Sequence, residues 1–321
     1  MFAHRSVLAC VLAVMLVSLV VPSVVFAAPP PGKGPGSGGG GGGGGGKGDE
    51  IDHKARQDRP IQLGTSGGNV SDLANGYCCS GTLGALVEAG GTQYILSNTH
   101  VFAGDSVPGG NGVVSSYGDP INQPGYVDIQ CQNLPADYVG ILTDWVVLPP
   151  GGTAVADAAI AQVTPGAVDP DGKILAIGTL SADTLQASLD LPVKKSGRTS
   201  GLTRGRVAGL NATVSVGYSD ECAGASFTTT FTGQILVSPG KFIKSGDSGS
   251  LMVEDVATNP RAVGLLYAGS KRIAVANPID DVLNYFDVSM VGVPGAGGAG
   301  ASASGPGASA QGLENAAQAQ V

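Results

Sequence analysis

The sequence predicts an all-β fold of the barrel or sandwich kind, and three observations predict it. Short β-prone runs recur between Gly84 and Ala276. Glycine-rich turns such as Pro108-Gly109-Gly110-Asn111-Gly112 separate them. One stretch near the end, starting at Asn277, carries apolar residues at helical spacing. Many short strands with such punctuation build sandwiches or barrels.

In chain order the predicted strands are Gly84–Ala89, Gln93–Ser97, Trp145–Leu148, Ala154–Val163 and Lys173–Ile177. They continue with Arg206–Tyr218, Phe227–Val237, Leu251–Val253, Ala262–Ala268 and Arg272–Ala276. The helix comes next. Asn277 is its expected N-cap, Pro278 suits the first turn, and Asp280 and Asp281 favour the positive helix end. Ile279, Val282, Leu283 and Phe286 then recur at helical spacing.

The chain ends read differently. Residues 7–21 are almost wholly apolar, follow His4 and Arg5, and lead to Val25-Phe26-Ala27 with small residues three and one before a cut. This pattern predicts a secretory signal peptide over 1–27. An uncleaved membrane anchor is the rival, opposed by Pro22 and the cleavage-like site. Residues 28–58 read as a Gly/Pro-rich linker or pro-segment with nine consecutive glycines from Gly38 to Gly46, and 291–321 as a disordered Gly/Ala/Ser-rich tail. Such segments bury too little apolar area to offset their chain entropy. The folding body is then about 59–290, long enough for a substantial core.

Cleavage after Ala27 removes one of 17 basic residues, Arg5, and leaves 16 against 25 acidic, a net of −9. That surface repels polyanions, so nucleic acid is not an expected partner. No second apolar run reaches spanning length, so no stable membrane insertion is expected once the leader is gone. Four cysteines remain, Cys78, Cys79, Cys131 and Cys222, and an even count in a secreted chain predicts disulfides. Three pairings are open; adjacent Cys78 and Cys79 are expected to pair elsewhere, because a bridge between neighbours strains the peptide. A zinc site competes but lacks paired C-x-x-C spacing and a spare histidine, so no metal or other cofactor is expected.

The chemistry centres on Gly246-Asp247-Ser248-Gly249-Ser250. Flanking glycines let the backbone turn sharply and gather N–H groups into one small space. Ser248 is the expected nucleophile, with the N–H groups of Gly246 and Ser248 holding the oxyanion; the plain alternative is a turn. A serine nucleophile needs a base. Of three histidines, His4 lies in the leader and His53 in the Gly/Pro-rich stretch, which leaves His100. It follows the apolar run Tyr94-Ile95-Leu96-Ser97. Asp157, amid Ala156, Ala158, Ala159 and Ile160, is the expected buried acid that orients His100.

The order His100, Asp157, Ser248, at spacings of 57 and 91 residues, resembles the chymotrypsin/trypsin-like serine peptidases. Over about 75–288 the resemblance implies two packed six-stranded Greek-key β-barrels of the trypsin-like type, at 59–165 and 166–290, the second with the C-terminal helix. It also implies a peptide or protein substrate. Val193-Lys194-Lys195-Ser196-Gly197-Arg198-Thr199-Ser200-Gly201 is similar to the second-barrel segment of streptogrisin-type enzymes. Gly81-Thr82-Leu83-Gly84 and Tyr94-Ile95-Leu96-Ser97-Asn98 look nearest to the NARROW LEAF-like branch and its bacterial relatives. The implied function is a secreted serine endopeptidase acting through an acyl-enzyme. The alternative is an exported binding module on the same fold, with weak or no catalysis.

Departures from the family bear on that choice. Asn98-Thr99-His100-Val101 replaces the usual Ala-Ala-His-Cys, and Tyr267 stands where many relatives place a serine bonded to the triad acid. No Ile-Val-Gly-Gly start is present to pair with Asp247; by the streptogrisin likeness Lys195 is the expected cation, and Arg198 the second choice. The implied substrate-binding residues are Phe242, Ile243, Tyr267, Ala268 and Gly269, of which Phe242 and Ile243 read equally as core. Gly64-Thr65-Ser66-Gly67-Gly68 matches the G-x-S-x-G elbow only formally, without a strand-to-helix setting. The sequence leaves the oligomeric state open.

Overall fold

A computed structural model describes residues 20–25, 51–74, 77–104, 115–219, 222 and 225–294. The predicted leader cut after Ala27, the glycine tract, the Pro108–Gly112 turn and residues 295–321 of the tail lie outside these. Val20–Val25 runs as a strand parallel to part of the second barrel.

The first barrel uses β1 (Thr65–Asn69), β2 (Gly81–Leu83), β3 (Ala85–Ala89), β4 (Thr92–Ser97), β5 (Pro120–Asn122), β6 (Tyr138–Trp145) and β7 (Ala159–Val163). Antiparallel pairs run β1–β2, β3–β4, β4–β7, β7–β6, β6–β5 and β5–β1. Gly84 joins β2 to β3 in one bent strand, so the ring closes on six strands. The second barrel uses β8 (Pro192–Gly197), β9 (Gly201–Tyr218), β10 (Phe227–Ser238), β11 (Leu251–Glu254), β12 (Ala262–Gly269) and β13 (Ala274–Pro278). Its pairs β8–β9, β9–β10, β10–β13, β13–β12, β12–β11 and β11–β8 also close a ring. Counted from each barrel's first strand, both rings run first, second, third, sixth, fifth, fourth. Closure gives every ring strand a partner on both sides. The fold is the all-β double barrel that the sequence predicts.

Alternating apolar residues explain the closure. Leu86, Ile95, Leu96, Ile121 and Leu142 of the first barrel share one continuous cluster with Val214, Phe231, Leu265 and Tyr267 of the second. Val193, Val207, Ile235, Val237, Phe242 and Met252 fill the second barrel's own core. Each such burial is worth about 1.5–3 kcal/mol, and the cluster that spans both barrels binds them together. Helix α1 (Thr99–Phe102) follows β4, and α2 (Ile279–Phe286) follows β13 with Ile279, Val282 and Leu283 buried. Ser289–Met290 then returns to pair with β3.

Several elements differ from expectation. Lys173–Ile177 makes only isolated bridges at Ile174, because it is pinned to Leu63 ahead of β1 and extends no ladder. Trp145 ends β6, so the Trp145–Leu148 prediction is an end of a longer strand. Ala154–Val163 is interrupted: Thr153–Ala154 pairs with β10, β7 begins at Ala159, and Asp157 lies on the loop between. Pro278, not Asn277, caps α2; Asn277 is fully buried and bonded inward. His53 also belongs to the fold. Its ring Nδ1 bonds the Gly64 carbonyl at 2.7 Å, its own carbonyl accepts the Ser66 N–H, and it is 7 % exposed. The ordered body therefore begins before residue 59, and His100 is not its sole histidine.

Candidate active site

His100 stands on α1, a single turn that β4 feeds into the seam. The polar residues before it, Asn98 and Thr99, are fully buried, and both bond the segment around Asp157. Asn98 Nδ2 donates to the Asp157 carbonyl at 2.7 Å. Thr99 Oγ1 reaches the Val146 and Ala158 carbonyls, each at 2.8 Å. These bonds fasten α1 to the loop that carries Asp157.

Asp157 is fully buried, and His100 Nδ1 lies 2.5 Å from its Oδ2. A carboxylate only accepts, so Nδ1 carries the hydrogen and Nε2 keeps its lone pair in the neutral ring. The His100 backbone N–H adds a 3.2 Å bond to Oδ1, and the Tyr218 hydroxyl donates to Oδ2 at 2.9 Å. Asn277 grips the same residue by its main chain, accepting the Asp157 N–H and donating to its carbonyl, both at 3.1 Å. Tyr218 comes from β9 and Asn277 from β13, so the second barrel holds an acid of the first. Burial first, and the Asp157 charge next, push the Tyr218 hydroxyl well above its usual range. It therefore remains a donor.

Ser248 sits on the turn before β11 and is 7 % exposed. Thr82 of the first barrel clamps that turn by both its side chain and its backbone. Thr82 Oγ1 donates to the Gly246 carbonyl at 3.0 Å, and the Thr82 N–H to the Ser248 carbonyl at 2.8 Å. Gly249 has φ +90°, and a Cβ there would strike Ser97 Oγ and the Thr82 carbonyl. The turn's N–H groups divide cleanly. Asp247, Gly249 and Ser250 donate to the carbonyls of Lys244, Leu266 and Asp247. Among the described residues, the N–H groups of Gly246 and Ser248 have no acceptor. The Ser248 hydroxyl bonds the Tyr267 carbonyl at 3.4 Å, not the His100 ring.

Asp247 points away from the seam into a buried cage. Lys195 Nζ lies 3.1 Å from its Oδ2, with both side chains fully buried. Ser200 Oγ and the N–H groups of Thr199, Ser200 and Lys244 complete the carboxylate's partners. The ammonium's other bonds go to Ser200 Oγ at 2.6 Å and the Gly201 carbonyl at 3.1 Å. Burial pushes Lys195 below its ordinary range, and Asp247 opposes that push. Arg198, the second choice for Asp247, instead makes a two-pronged pair with Asp128 at 2.6 Å per bond.

The expected pocket residues split. Phe242, at the end of the 3-10 turn Gly240–Phe242, and Tyr267 and Ala268, on β12, put their side chains into the core. Ile243, only 3 % exposed, and Gly269 line an open groove of about 460 Å³. Tyr267 Oη is buried without a hydrogen-bond partner, while Tyr218 bonds the acid in its place. Disulfides join Cys78 to Cys131 and Cys79 to Cys222. No cluster of metal-ligating side chains occurs among the described residues. No helix there is long and apolar enough to cross a membrane.

Ser66 of the formal elbow motif lies on β1 and bonds Asp128, as a structural hydroxyl. Sequence reasoning missed Tyr218, Asn277 and Thr82. Nothing in a local window marks them, since each acts across more than 59 residues of chain.

No family profile and no curated protein matches the sequence. Solved structures do resemble it, and those compared are serine proteases. Protease A of Thermobifida fusca is 20% identical over 66% of this chain and 92% of its own, with a TM-score of 0.44. A glutamic-acid-specific serine protease is 18% identical over 72% and 100%, at 0.47. The chymotrypsin of Cellulomonas bogoriensis is 17% identical over 66% and 91%, at 0.41.

Proposed function

We propose that this chain is a secreted serine endopeptidase whose triad is His100, Asp157 and Ser248. One observation carries the reading. A buried carboxylate fixes the tautomer of His100, at the same seam where a glycine-flanked serine leaves two backbone N–H groups unclaimed. In the reaction the Ser248 hydroxyl leaves the Tyr267 carbonyl and turns to His100 Nε2. Its oxygen attacks the peptide carbonyl carbon while Nε2 takes its proton. The carbonyl oxygen becomes negative and is held by the Gly246 and Ser248 N–H groups, worth about 3–4 kcal/mol apiece. The C–N bond breaks, Nε2 protonates the departing amine, and water then hydrolyses the acyl-enzyme by the same steps.

Lys195 supplies the cation beside Asp247 from within the chain, so on this reading the serine turn needs no newly cut N-terminus to hold its shape. The leader over 1–27 and the two disulfides support export. A fluorophosphonate probe is the test. The expected result is a covalent adduct on Ser248 of the native chain and none on Ser248→Ala. A folded native chain that takes no label overturns the enzymatic reading in favour of an exported binding module. Loss of Ser248 or His100 should cost on the order of 10⁶ in turnover, and loss of Asp157 roughly 10⁴.

A further inference from the structure

We infer that the groove beside Ser248 selects an acidic side chain on the residue whose carbonyl is attacked. This rests on the hydrolase reading above. One groove wall runs from Gly240 to Ser245, and Ser245 leads directly into Gly246. The other is Gly269–Lys271, two residues beyond the Tyr267 carbonyl that holds the Ser248 hydroxyl. Because one wall runs straight into Gly246, the side chain next to a carbonyl held at the Gly246 and Ser248 N–H groups is assigned to the space between those walls.

The charge in the groove has one sign. Lys241, Lys244 and Lys271 line it, and no carboxylate does. All three are exposed, and none is in an ion pair among the described residues. The chain as a whole carries a net charge of −8, so three unpaired lysines around about 460 Å³ are a local reversal of its field. Lys241 and Lys244 also edge the adjacent cleft of about 950 Å³.

The walls are set close. A Cβ on Gly240 would run into the Lys271 carbonyl carbon and the Arg272 amide, so the two lysine-bearing segments touch at their backbones. The ammonium groups therefore hang from fixed anchors. A glutamate or aspartate entering from water finds lysines on both walls and no lining carboxylate. A lysine or arginine meets only like charge.

Matched peptides that differ only at the residue supplying the attacked carbonyl provide the test, run with fluorophosphonate labelling. We expect kcat/KM for glutamate to exceed that for glutamine by about tenfold at low salt, with the ratio shrinking toward 1 M salt. The triple variant Lys241→Gln, Lys244→Gln, Lys271→Gln should bring the ratio to about one. Equal cleavage of both peptides by a native chain that takes the label overturns the groove assignment alone. So does a ratio that survives in a labelled triple variant. A chain that takes no label and cleaves neither peptide overturns the hydrolase reading and this inference with it.

Discussion

The Tyr218 hydroxyl donates to the Asp157 carboxylate at 2.9 Å, across the boundary between the barrels. Hydrogen bonds to a charged group contribute about 1.5–3 kcal/mol. Tyr218→Phe keeps the stack on Phe227, whose ring centre lies 5.0 Å away, and deletes only the bond. We expect kcat to fall roughly tenfold to a hundredfold with KM nearly unchanged, because Tyr218 positions the acid and does not bind substrate. Steady-state kinetics of the folded variant check this; an unchanged kcat rejects the positioning role.

Tyr267→Phe should act on stability. Its hydroxyl is buried without a partner, and its removal should raise the unfolding free energy by about 1 kcal/mol near neutral pH. The pH dependence follows from the same burial. Desolvation, then the Asp157 charge, lift Tyr267 well above the ordinary 10.0. A raised acid contributes stability that is complete below its unfolded value and is lost as pH climbs past 10.0 toward the folded one. Urea titrations above pH 10 should therefore show a shallower alkaline decline in the variant than in the native chain.

Lys195→Met leaves Asp247 buried beside neutral donors only. Removing one partner of a buried pair costs about 3–5 kcal/mol. The variant should unfold at lower urea and label slowly at Ser248, since Asp247 anchors the turn that carries it. Adding Asp247→Asn removes the stranded charge and should recover much of the stability. Full labelling of Lys195→Met would reject the role given to this pair.

The two disulfides should differ in consequence. Cys79–Cys222 closes 143 residues of separation and Cys78–Cys131 only 53. Replacing either pair by serine should cost about 2–5 kcal/mol, with the longer loop roughly 1 kcal/mol the more expensive. Activity should fall further without Cys79–Cys222. The Cys222 carbonyl packs against Gly104, at the end of the turn that carries His100. Denaturation midpoints and labelling rates of the two double variants check both statements.

Strands with apolar, β-prone runs between turn residues, such as β3, β4, β10 and β12, were legible from sequence because local pattern and burial agree there. β1 and β8 were not. β1 reads Thr-Ser-Gly-Gly-Asn, and β8 buries Lys194 and Lys195 on its two faces, so small and polar residues hide these strands. Asn277 has every local mark of a helix cap, yet its bonds to Asp157 prevail because a buried main chain must be satisfied. His100, Asp157 and Ser248 were singled out in the sequence by their order and neighbours, and the structure sets His100 Nδ1 2.5 Å from Asp157 Oδ2. Tyr218 was not, since 61 residues of chain separate it from its acceptor and nothing in β9 marks its hydroxyl as buried.

The matching strand order of the two barrels carries a consequence for how the chain matures. His100 and Asp157 belong to one ring, while Ser248, Tyr218 and Asn277 belong to the other. A nascent polypeptide with one ring formed holds either a base without a nucleophile or a nucleophile without a base. On the proposed mechanism, hydrolytic power arrives only when both halves have docked.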